Sequence, residues 1–319
     1  MRPPDRLSHA PRAIGGYPLL RTLGVGGMSQ VFLSYDPVAL RPIAIKVLAD
    51  HLAADQQFVN RFYREAVLSR SLTHPSLIRG LDHGYDASSG KHYLALEYVD
   101  GPTAQTALER VTRFPPGVAV RVTLDAAAAL AYLHDNRYIH RDVKPDNLLL
   151  PPDGPIKLAD LGLAKRVATD GHLTTPAQGF GTPHYMPFEQ VVNAALVDER
   201  SDIFALGATL YHLTTGQVPF PDSNANPTAP RGEPVPVGVA CDAVPPCLDA
   251  TIRRMLAADP RERFQSVAEV ISALESCVPI CTPEEYTAFV KQARSGDAAD
   301  QSDGESATRL AILNSAASA

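Results

Sequence analysis

The chain has 319 residues, 45% of them hydrophobic and 20% charged, so it can bury a large core in one large or two ordinary domains. Its formal net charge of -6, from 29 basic and 35 acidic residues, argues against broad nucleic-acid binding, because a phosphate backbone requires a positively charged face. We see no apolar run that approaches the roughly 20 residues needed to cross a bilayer, and the N-terminus lacks the apolar segment of a signal peptide. We therefore expect a cytoplasmic, reduced protein with no membrane span and no nucleic-acid partner.

The four cysteines lie at positions 241, 247, 277 and 281. They do not form the C-x-x-C pairs typical of zinc sites, and no histidine pair completes a ligand set. We expect ordinary thiols, and a disulfide between Cys241 and Cys247 remains an open alternative.

The first strands flank a glycine-rich turn. Residues 1–16 should be a flexible lead, with order beginning near Tyr17, because Pro and Arg are frequent up to position 13. A strand then leads into the turn at 24–29, and strand-like residues follow at once. Glycines let a backbone approach a phosphate closely, although a purely structural hairpin turn fits the same pattern. A dinucleotide-binding loop would lead into a helix, so we expect a hairpin.

A single lysine, Lys46, interrupts the apolar run at 43–47, and lysine is rarely buried without a partner. The spacing of apolar residues predicts a helix over 58–72, and Glu65 lies within it. The alternatives are a lysine that extends into solvent from an edge strand and a glutamate on a solvated face.

The β-type residues at 93–99 predict a strand that ends at Asp100-Gly101. The segment after this strand could connect two lobes or could be a simple turn that follows a core strand. An alanine-rich pattern over 117–136 predicts a helix.

The segment His140–Asn147 reads H-R-D-V-K-P-D-N and places acid, base and amide side chains in one short loop. Apolar residues on both sides should hold the loop rigidly, and such loops are where catalytic residues are frequently found. A strand over 156–159 and the tripeptide Asp160-Leu161-Gly162 come next, and a D-x-G turn by itself is common.

The sequence after Gly162 predicts helices separated by irregular stretches. An apolar helix should begin at Asp202, and 248–256 and 267–274 should be closing helices. Residues 163–181 should be a mobile loop, and 221–247 is rich in Pro and Gly. One short helix, over 283–291, should precede a tail that is disordered from about position 294.

Taken in order, these motifs resemble those of the protein kinases over residues 17–276. The segment H-R-D-V-K-P-D-N is similar to the kinase loop H-R-D-x-x-x-x-N, and Asp160-Leu161-Gly162 is similar to D-F-G. Residues 43–46 resemble the V-A-I-K strand, and residues 24–31 resemble G-x-G-x-x-G-x-V with Ser29 at the third glycine. The details look most like bacterial serine/threonine kinases.

The resemblance implies an α+β, bilobal, protein-kinase-like fold. A small antiparallel β lobe with one main helix would span about 17–99, and a larger, mostly α-helical lobe would span about 100–276. Residues 277–319 would form a largely disordered tail.

The resemblance also implies ATP and Mg²⁺ as cofactors. Asp142 would accept or orient a substrate hydroxyl, Lys144 would neutralise charge on the γ-phosphate, and Asn147 and Asp160 would bind Mg²⁺. Lys46, oriented by Glu65, would hold the other phosphates. The remaining nucleotide-binding residues would be Leu23, Gly24, Val25, Gly26, Gly27, Met28, Ser29, Val31, Ala44, Leu96, Glu97, Val99 and Leu149.

Other roles follow from the same resemblance. Asp202 would bond the backbone of the catalytic loop, and Glu189 would pair with Arg263. Arg141 could clamp a phosphate on Thr174 or Thr175, although these threonines could equally be ordinary loop residues.

Two departures from the family leave alternatives open. Pro187-Phe188-Glu189 stands where the family has A-P-E, and we expect the stretch 221–247 to be trimmed relative to the substrate-docking region of many kinases. An ATP-binding scaffold with little phosphotransfer is therefore one alternative. A small-molecule phosphotransferase is another, which the segment at 181–186 opposes. The implied partners are proteins with Ser or Thr, and a second copy of the chain for autophosphorylation.

Overall fold

The computed structural model describes residues 13–161, 165–166, 183–192, 196–221, 234–241 and 244–294, with the backbone alone for 165–166. Our expectations for the loop at 163–181, including Thr169, Thr174 and Thr175, fall almost entirely outside these residues, as do those for the tail after Arg294. The described residues form a small, mainly β lobe and a larger helical lobe, in agreement with the predicted fold class.

Six antiparallel strands form the sheet of the small lobe, in the spatial order β1-β2-β3-β4-β6-β5. Their bounds are β1 Ala13–Ile14, β2 Tyr17–Val25, β3 Ser29–Asp36, β4 Arg41–Leu48, β5 Gly80–Asp86 and β6 Lys91–Glu97. The glycine-rich turn joins β2 directly to its neighbour β3, so the predicted hairpin is confirmed.

One face of this sheet is closed by a core that includes Ile14. Ile14 is 1% exposed and packs with Phe32, Ile45 and Tyr93, which lie on the same face of their strands. The sheet therefore begins before Tyr17, where we expected order to start. A two-residue strand is too short to show a periodic pattern, which is why the sequence did not reveal it.

The other face carries helix α2, Gln56–Ser71, where a helix over 58–72 was predicted. Asp55 caps its N-terminus by accepting a hydrogen bond from the Gln57 backbone at 2.8 Å. The side chains of Phe62 and Ala66 are buried against the sheet. This packing fixes the position of Glu65, which is also buried.

The large lobe is built around α4, Pro116–Asp135, and α6, Glu199–Thr215. Asp198 caps α6 by accepting a hydrogen bond from Arg200 N, and Gly216 ends the helix in the left-handed region at φ 73°. A Cβ at Gly216 would lie 2.3 Å from a backbone oxygen, so both the dihedral angle and the close approach require glycine.

Shorter elements complete the described fold. The strands are β7 Tyr138–Ile139, β8 Leu148–Leu149, β9 Lys157–Leu158 and β10 Lys165–Arg166, with β7 paired to β10 and β8 to β9. The helices are α1 Asp50–Ala53, α3 Ala104–Val111, α5 Phe188–Val192, α7 Val237–Ala240, α8 Pro246–Met255 and α9 Val267–Glu275. The last two are the predicted closing helices.

Helix α4 is the one element among the described residues with the length and composition of a membrane span, which corrects our expectation that no apolar run approaches that length. Its alanines and valines give it this character. Residues such as Val122, Ala126 and Leu130 are completely buried in the core of the large lobe. That burial is typical of a core helix.

Helix α10, Pro283–Arg294, packs on the large lobe after the predicted closing helices. Phe289 contacts Phe114 with ring centroids 4.5 Å apart, and Arg294 ends the helix with an ion pair to Asp100 at 2.6 Å. Its buried side chains are Tyr286, Phe289, Val290 and Ala293. The predicted short helix is therefore present and is part of the folded unit.

All four cysteines are free thiols. Cys241 is buried in the core of the large lobe, whereas Cys247 is exposed. The Cys247 thiol donates a hydrogen bond to the Cys277 carbonyl at 3.2 Å. The disulfide between Cys241 and Cys247 that the sequence left open is therefore not formed.

Candidate active site

Lys46, Glu65 and Asp160 form a charged cluster between the two lobes. Lys46 Nζ lies 2.7 and 2.8 Å from the two carboxylate oxygens of Glu65, and 3.5 Å from Oδ1 of Asp160. Lys46 comes from β4 and Glu65 from α2, so the docking of α2 on the sheet sets their geometry. The alternatives of a solvent-extended lysine and a solvated glutamate are excluded.

The ammonium of Lys46 is held in its charged form. Burial disfavours this charge, but Asp160 and Glu65 outweigh burial and raise the pKa of Lys46. A fixed cation that projects from a strand next to a glycine-rich turn is suited to binding a phosphate.

Asp142, Lys144 and Asn147 are brought together by the catalytic loop. Lys144 Nζ lies 3.0 and 2.9 Å from the carboxylate oxygens of Asp142. A short 3-10 turn, Pro145–Asn147, carries Asn147 back toward Asp142. There its amide nitrogen donates to the Asp142 backbone oxygen at 2.7 Å and to the carboxylate at 3.0 Å. The carboxylate of Asp142 is therefore fixed by two side chains of its own loop.

Asp202, at the start of α6, supports the loop from within the large lobe. Its carboxylate accepts hydrogen bonds from the backbone nitrogens of His140 and Arg141 and from Nε2 of His134, each at 2.8 Å. The predicted role of Asp202 is thus confirmed. Burial alone would lower the pKa of His134, but the hydrogen bond to Asp202 and the Asp202 charge outweigh burial and raise it.

His140 ties the loop to the strand that leads to Asp160. Its Nδ1 accepts a hydrogen bond from Asp142 N at 3.3 Å, so Nε2 is the protonated nitrogen that donates to the Ala159 carbonyl at 3.2 Å. Ala159 N in turn donates to the Asn147 carbonyl at 2.9 Å. These bonds connect the Asp142 loop to the residue directly before Asp160.

Two residues of the site have left-handed backbone dihedral angles: Arg141 at φ 71° and Asp160 at φ 66°. This conformation costs a residue with a side chain about 1–2 kcal/mol. The hydrogen bonds that the His140 and Arg141 backbone N–H groups donate to Asp202 stabilise the loop at Arg141. The two strained positions belong to the two motifs that carry the candidate catalytic residues, as is common at functional sites.

The glycine-rich turn joins β2 to β3, the strand that pairs with the Lys46 strand β4. Gly26 N bonds Ser29 O at 2.9 Å, and Met28 O accepts from Ala49 N at 3.0 Å, so the turn is held at both ends. A Cβ at Gly24 or Gly27 would meet no protein atom within 4 Å, and neither glycine has positive φ. The fold itself therefore does not require glycine there, whereas close approach of a phosphate would.

The register of the sheet places the predicted pocket residues on one face. Val31 lies opposite Lys46, and Ala44 lies opposite Leu96, so these four side chains share the face that looks toward the large lobe. Val25 lies opposite Gln30, on the other side of the strand, and is 71% exposed. The pocket face is thus apolar except for the lysine.

The predicted nucleotide-binding residues Leu23 and Leu149 lie in different lobes. Leu23 lies in β2 beside the turn and is 37% exposed. Leu149 lies in the large lobe, where its backbone forms a bridge with Thr103, three residues after Asp100. Leu149 is thereby placed beside the segment that joins the lobes.

The segment between the lobes is held by the side chain of Glu97. Its Oε1 accepts hydrogen bonds from Lys157 Nζ and from Arg79 N, both at 2.8 Å. Val99 O then accepts from Gly101 N at 3.1 Å. A Cβ at Gly101 would lie 2.0 Å from a backbone oxygen of the large lobe, so glycine is required where the two segments touch.

A magnesium ion fits the donor set at this site. The amide nitrogen of Asn147 is engaged by Asp142, which leaves its oxygen as the atom that can face a cation, and Asp160 adds a carboxylate. The described residues contain no cluster of three or more His, Cys, Asp or Glu side chains that could hold a metal. Magnesium commonly has just one or two protein carboxylates and completes its shell with phosphates and water.

The sequence reasoning missed Arg61, which reaches the same site. The charges of Asp160, Asp142 and Glu65 all act on its guanidinium and oppose the effect of burial, which lowers the pKa of Arg61. Arg61 lies four residues before Glu65 in α2, so the two share a helix face. The spacing of four residues from Glu65 was the feature of the sequence that could have indicated Arg61.

The predicted pair of Glu189 and Arg263 is formed, with 2.7 Å between Oε1 and Nη1. The substitution of Phe188 at the family's proline position has not displaced it. The Tyr185 hydroxyl and His212 Nδ1 share a hydrogen bond at 2.6 Å. This bond ties the turn Pro183–Tyr185, which precedes α5, to α6.

Comparison with known families agrees with this geometry. The model of the protein kinase domain matches residues 17–273. The chain belongs to the protein kinase family. This match begins and ends within a few residues of the span over which the motifs were recognised, and it ends before helix α10.

The similar proteins with curated names include two bacterial kinases. The serine/threonine-protein kinase PknB of Mycobacterium leprae is 37% identical over 259 residues, and the serine/threonine-protein kinase PrkC of Bacillus subtilis is 32% identical over 270. These alignments cover 80% and 81% of this chain. They cover 42% and 40% of the relatives, so the chain spans about two fifths of their length.

Among solved structures, the kinase domain of Mycobacterium tuberculosis PknI superimposes with a TM-score of 0.66 at 31% sequence identity. The superposition covers 83% of this chain and 97% of that one. The bilobal kinase fold that the motifs predicted is therefore confirmed.

Proposed function

We propose that this chain is a serine/threonine protein kinase that transfers the γ-phosphoryl group of ATP to protein hydroxyls with Mg²⁺. One observation carries the proposal. An unbroken series of contacts links the phosphate-binding lysine to the candidate base: Lys46 to Asp160, the adjoining Ala159 to Asn147, and Asn147 to Asp142.

The chemistry follows from how these groups are held. Phosphoryl transfer has a loose, negatively charged transition state, so catalysis depends mainly on positioning and charge stabilisation. Asp142 would orient the substrate hydroxyl and accept its proton. Lys144, now paired with the Asp142 carboxylate, would neutralise charge on the transferred group. Asn147 and Asp160 would hold Mg²⁺, which would supply positive charge to offset that of the phosphates.

The substrate class rests on four supports. The segment at 181–186 and the Glu189–Arg263 pair argue for a surface that receives a peptide, and the relatives are named serine/threonine-protein kinases. Lys144, two residues after Asp142, is typical of serine and threonine enzymes in this family. A cytoplasmic location is part of the proposal, because ATP is available there.

Regulation by phosphorylation is a finer part of the proposal. Arg141 lies beside the base, and Thr174 and Thr175 lie in the adjoining segment, outside the described residues. A phosphate on either threonine could bind the Arg141 guanidinium in a two-point contact. Phosphorylation of this segment by a second copy of the chain would require self-association.

The test is an assay with purified protein, radiolabelled ATP, Mg²⁺ and a general basic protein substrate such as myelin basic protein. We expect phosphoserine and phosphothreonine after acid hydrolysis, loss of label with a chelator, and loss of label in Asp142→Asn. Nucleotide binding without any transfer would instead favour the ATP-binding scaffold. Peptide mapping of the autophosphorylated protein tests Thr174 and Thr175, and absence of phosphate from 169–182 would refute the regulatory part.

A further inference from the structure

Two thiols meet where the start of α8 faces the end of α9, in a part of the large lobe that the proposed chemistry does not use. Cys247 is the second residue of α8 and is exposed, and Cys277 lies two residues after the end of α9 and is half-buried. Cys247 Sγ donates a hydrogen bond to the Cys277 carbonyl at 3.2 Å. The thiol of one cysteine therefore touches the backbone of the other.

Thr251 gives an independent measure of this proximity. Its hydroxyl lies 2.9 Å from the Cys247 carbonyl and 3.6 Å from the Cys277 sulfur. The two thiols also interact with each other. Burial and the Cys247 thiol raise the pKa of Cys277, against the hydrogen bond from Thr251. The bond from Cys247 Sγ to the Cys277 carbonyl and the contact of Thr251 with Cys277 Sγ both show that the two cysteines are direct neighbours.

The other two cysteines lie in different surroundings. Cys241 is buried in the lobe core, and Cys281 interacts with Arg121 beside the start of α4. Cys247 contacts neither of them through a hydrogen bond among the described residues. They are internal controls for any chemistry of the Cys247 and Cys277 pair.

We propose that Cys247 and Cys277 are a modification site at which a low-molecular-weight disulfide forms a reversible cross-link between α8 and the end of α9. The exposed Cys247 thiolate attacks one sulfur of the small disulfide RSSR, and an RS⁻ group leaves with the electron pair of the broken S–S bond. Cys277, as a thiolate, then attacks Cys247 Sγ and displaces the second RS⁻. The two protein thiols lose their protons to the two RS⁻ groups, so the protein dithiol is oxidised and RSSR is reduced to two RSH.

This order of attack follows from exposure. A small disulfide can reach Cys247, whereas Cys277 is half-buried and reacts with the sulfur that is already beside it. The cross-link would tie the start of α8 to the connection that leads to α10, and closing a long loop in this way restricts the unfolded chain.

The experiment treats the whole protein with oxidised glutathione, blocks remaining thiols, and maps disulfides by mass spectrometry without reduction. Trypsin leaves Cys241 with Cys247 in one peptide, and Cys277 with Cys281 in another. An additional cut before Asp242 separates Cys241 from Cys247. The variant Cys281→Ser removes the remaining ambiguity. We expect a single Cys247–Cys277 cross-link, reversed by dithiothreitol, and a higher thermal midpoint for the oxidised protein.

Three results would overturn the proposal: a stable glutathione adduct on Cys247 with Cys277 still reduced, a cross-link to Cys241, or no cross-link in Cys281→Ser. Cys247→Ser and Cys277→Ser should each lose the rise in thermal midpoint, whereas Cys281→Ser should keep it. The readout does not depend on phosphotransfer, so it stands or fails separately from the proposed function.

Discussion

Glu189 and Arg263 form a two-point ion pair, with Nη1–Oε1 and Nη2–Oε2 distances of 2.7 and 3.1 Å. The side chain of Arg263 is completely buried, and its other donors reach the backbone oxygens of Ala257, Ala258 and Arg200. The pair joins α5 to the loop between α8 and α9. The sequence Pro187-Phe188-Glu189 therefore preserves the ion pair while departing from the family at the proline.

Glu189→Gln should reduce the free energy of unfolding by about 3–5 kcal/mol, because removing one partner leaves the buried guanidinium without its counter-charge. Chemical denaturation followed by circular dichroism measures the change. Arg261→Ala is the matched control in the same loop, since its ion pair with Asp259 is on the surface, and it should leave the unfolding free energy nearly unchanged. Equal effects of the two substitutions would contradict the importance we give to burial.

Asp142→Asn should cut the turnover number by about 10²-fold or more, the range for loss of a general base, with nucleotide affinity nearly unchanged. The amide can keep a hydrogen bond with Asn147 but cannot accept a proton from the substrate. Single-turnover kinetics and fluorescent nucleotide titration separate the two quantities. Asp146→Asn, at an exposed position of the same loop, is the control and should retain most of the activity.

The elements that sequence predicted best are those set by local pattern. The hairpin at 24–29, the helix that carries Glu65 and the core helices follow from turn residues and apolar spacing, which act over a few residues. The contact between Lys157 and Glu97, 60 residues apart, has no local pattern. Such contacts become visible only when distant segments pack.

Two features that the sequence did not reveal, the burial of Ile14 and the position of Arg61, both depend on the packing of distant segments. The burial of Ile14 depends on a sheet that is completed by later strands. The approach of Arg61 to Asp142 and Asp160 depends on how α2 docks, although its spacing from Glu65 was readable. The resemblance to kinases predicted candidate catalytic residues, whereas only the structure could show that these candidates share one site.

Lys46→Met should weaken binding of ATP and lower the rate, because the carboxylates of Glu65 and Asp160 would then face the phosphates without an intervening cation. We expect a loss of about 10-fold or more in kcat/KM for ATP, equivalent to a charge-assisted hydrogen bond. Lys91→Met, on a neighbouring strand and paired with Asp50 at the surface, should leave kcat/KM unchanged. A Lys46 variant with full kcat/KM would refute the phosphate-binding role.

The pair of His134 and Asp202 predicts a pH-dependent contribution to stability. The pKa of His134 is raised above its usual 6.5 in the folded state, so folding favours the protonated form. The contribution is complete below about pH 6.5 and is lost as pH rises through the raised pKa. The difference in thermal midpoint between wild type and His134→Gln should therefore be larger at about pH 6 than at about pH 9. A difference for His134→Gln that grows with pH would contradict the assignment.

Helix α10 lies beyond the residues matched by the kinase family model, yet four of its side chains, Tyr286, Phe289, Val290 and Ala293, are buried. Phe289 is 7% exposed and contacts Phe114, which is 1% exposed. Phe289→Ala should therefore lower the unfolding free energy by about 3–5 kcal/mol, as for other large-to-small changes in cores. It should do so in a single cooperative transition, because α10 packs directly on the lobe.

Arg294→Ala is the control for that prediction. It removes the surface ion pair with Asp100 and should cost no more than about 1 kcal/mol. If Phe289→Ala instead produced a separate early transition with the main one unchanged, α10 would be an appendage that unfolds alone. If the whole loss of unfolding free energy appears in the main transition, any fragment of this chain used for biochemistry must extend through Arg294. A fragment that ends at residue 273, where the family match ends, would expose the apolar surface around Phe114.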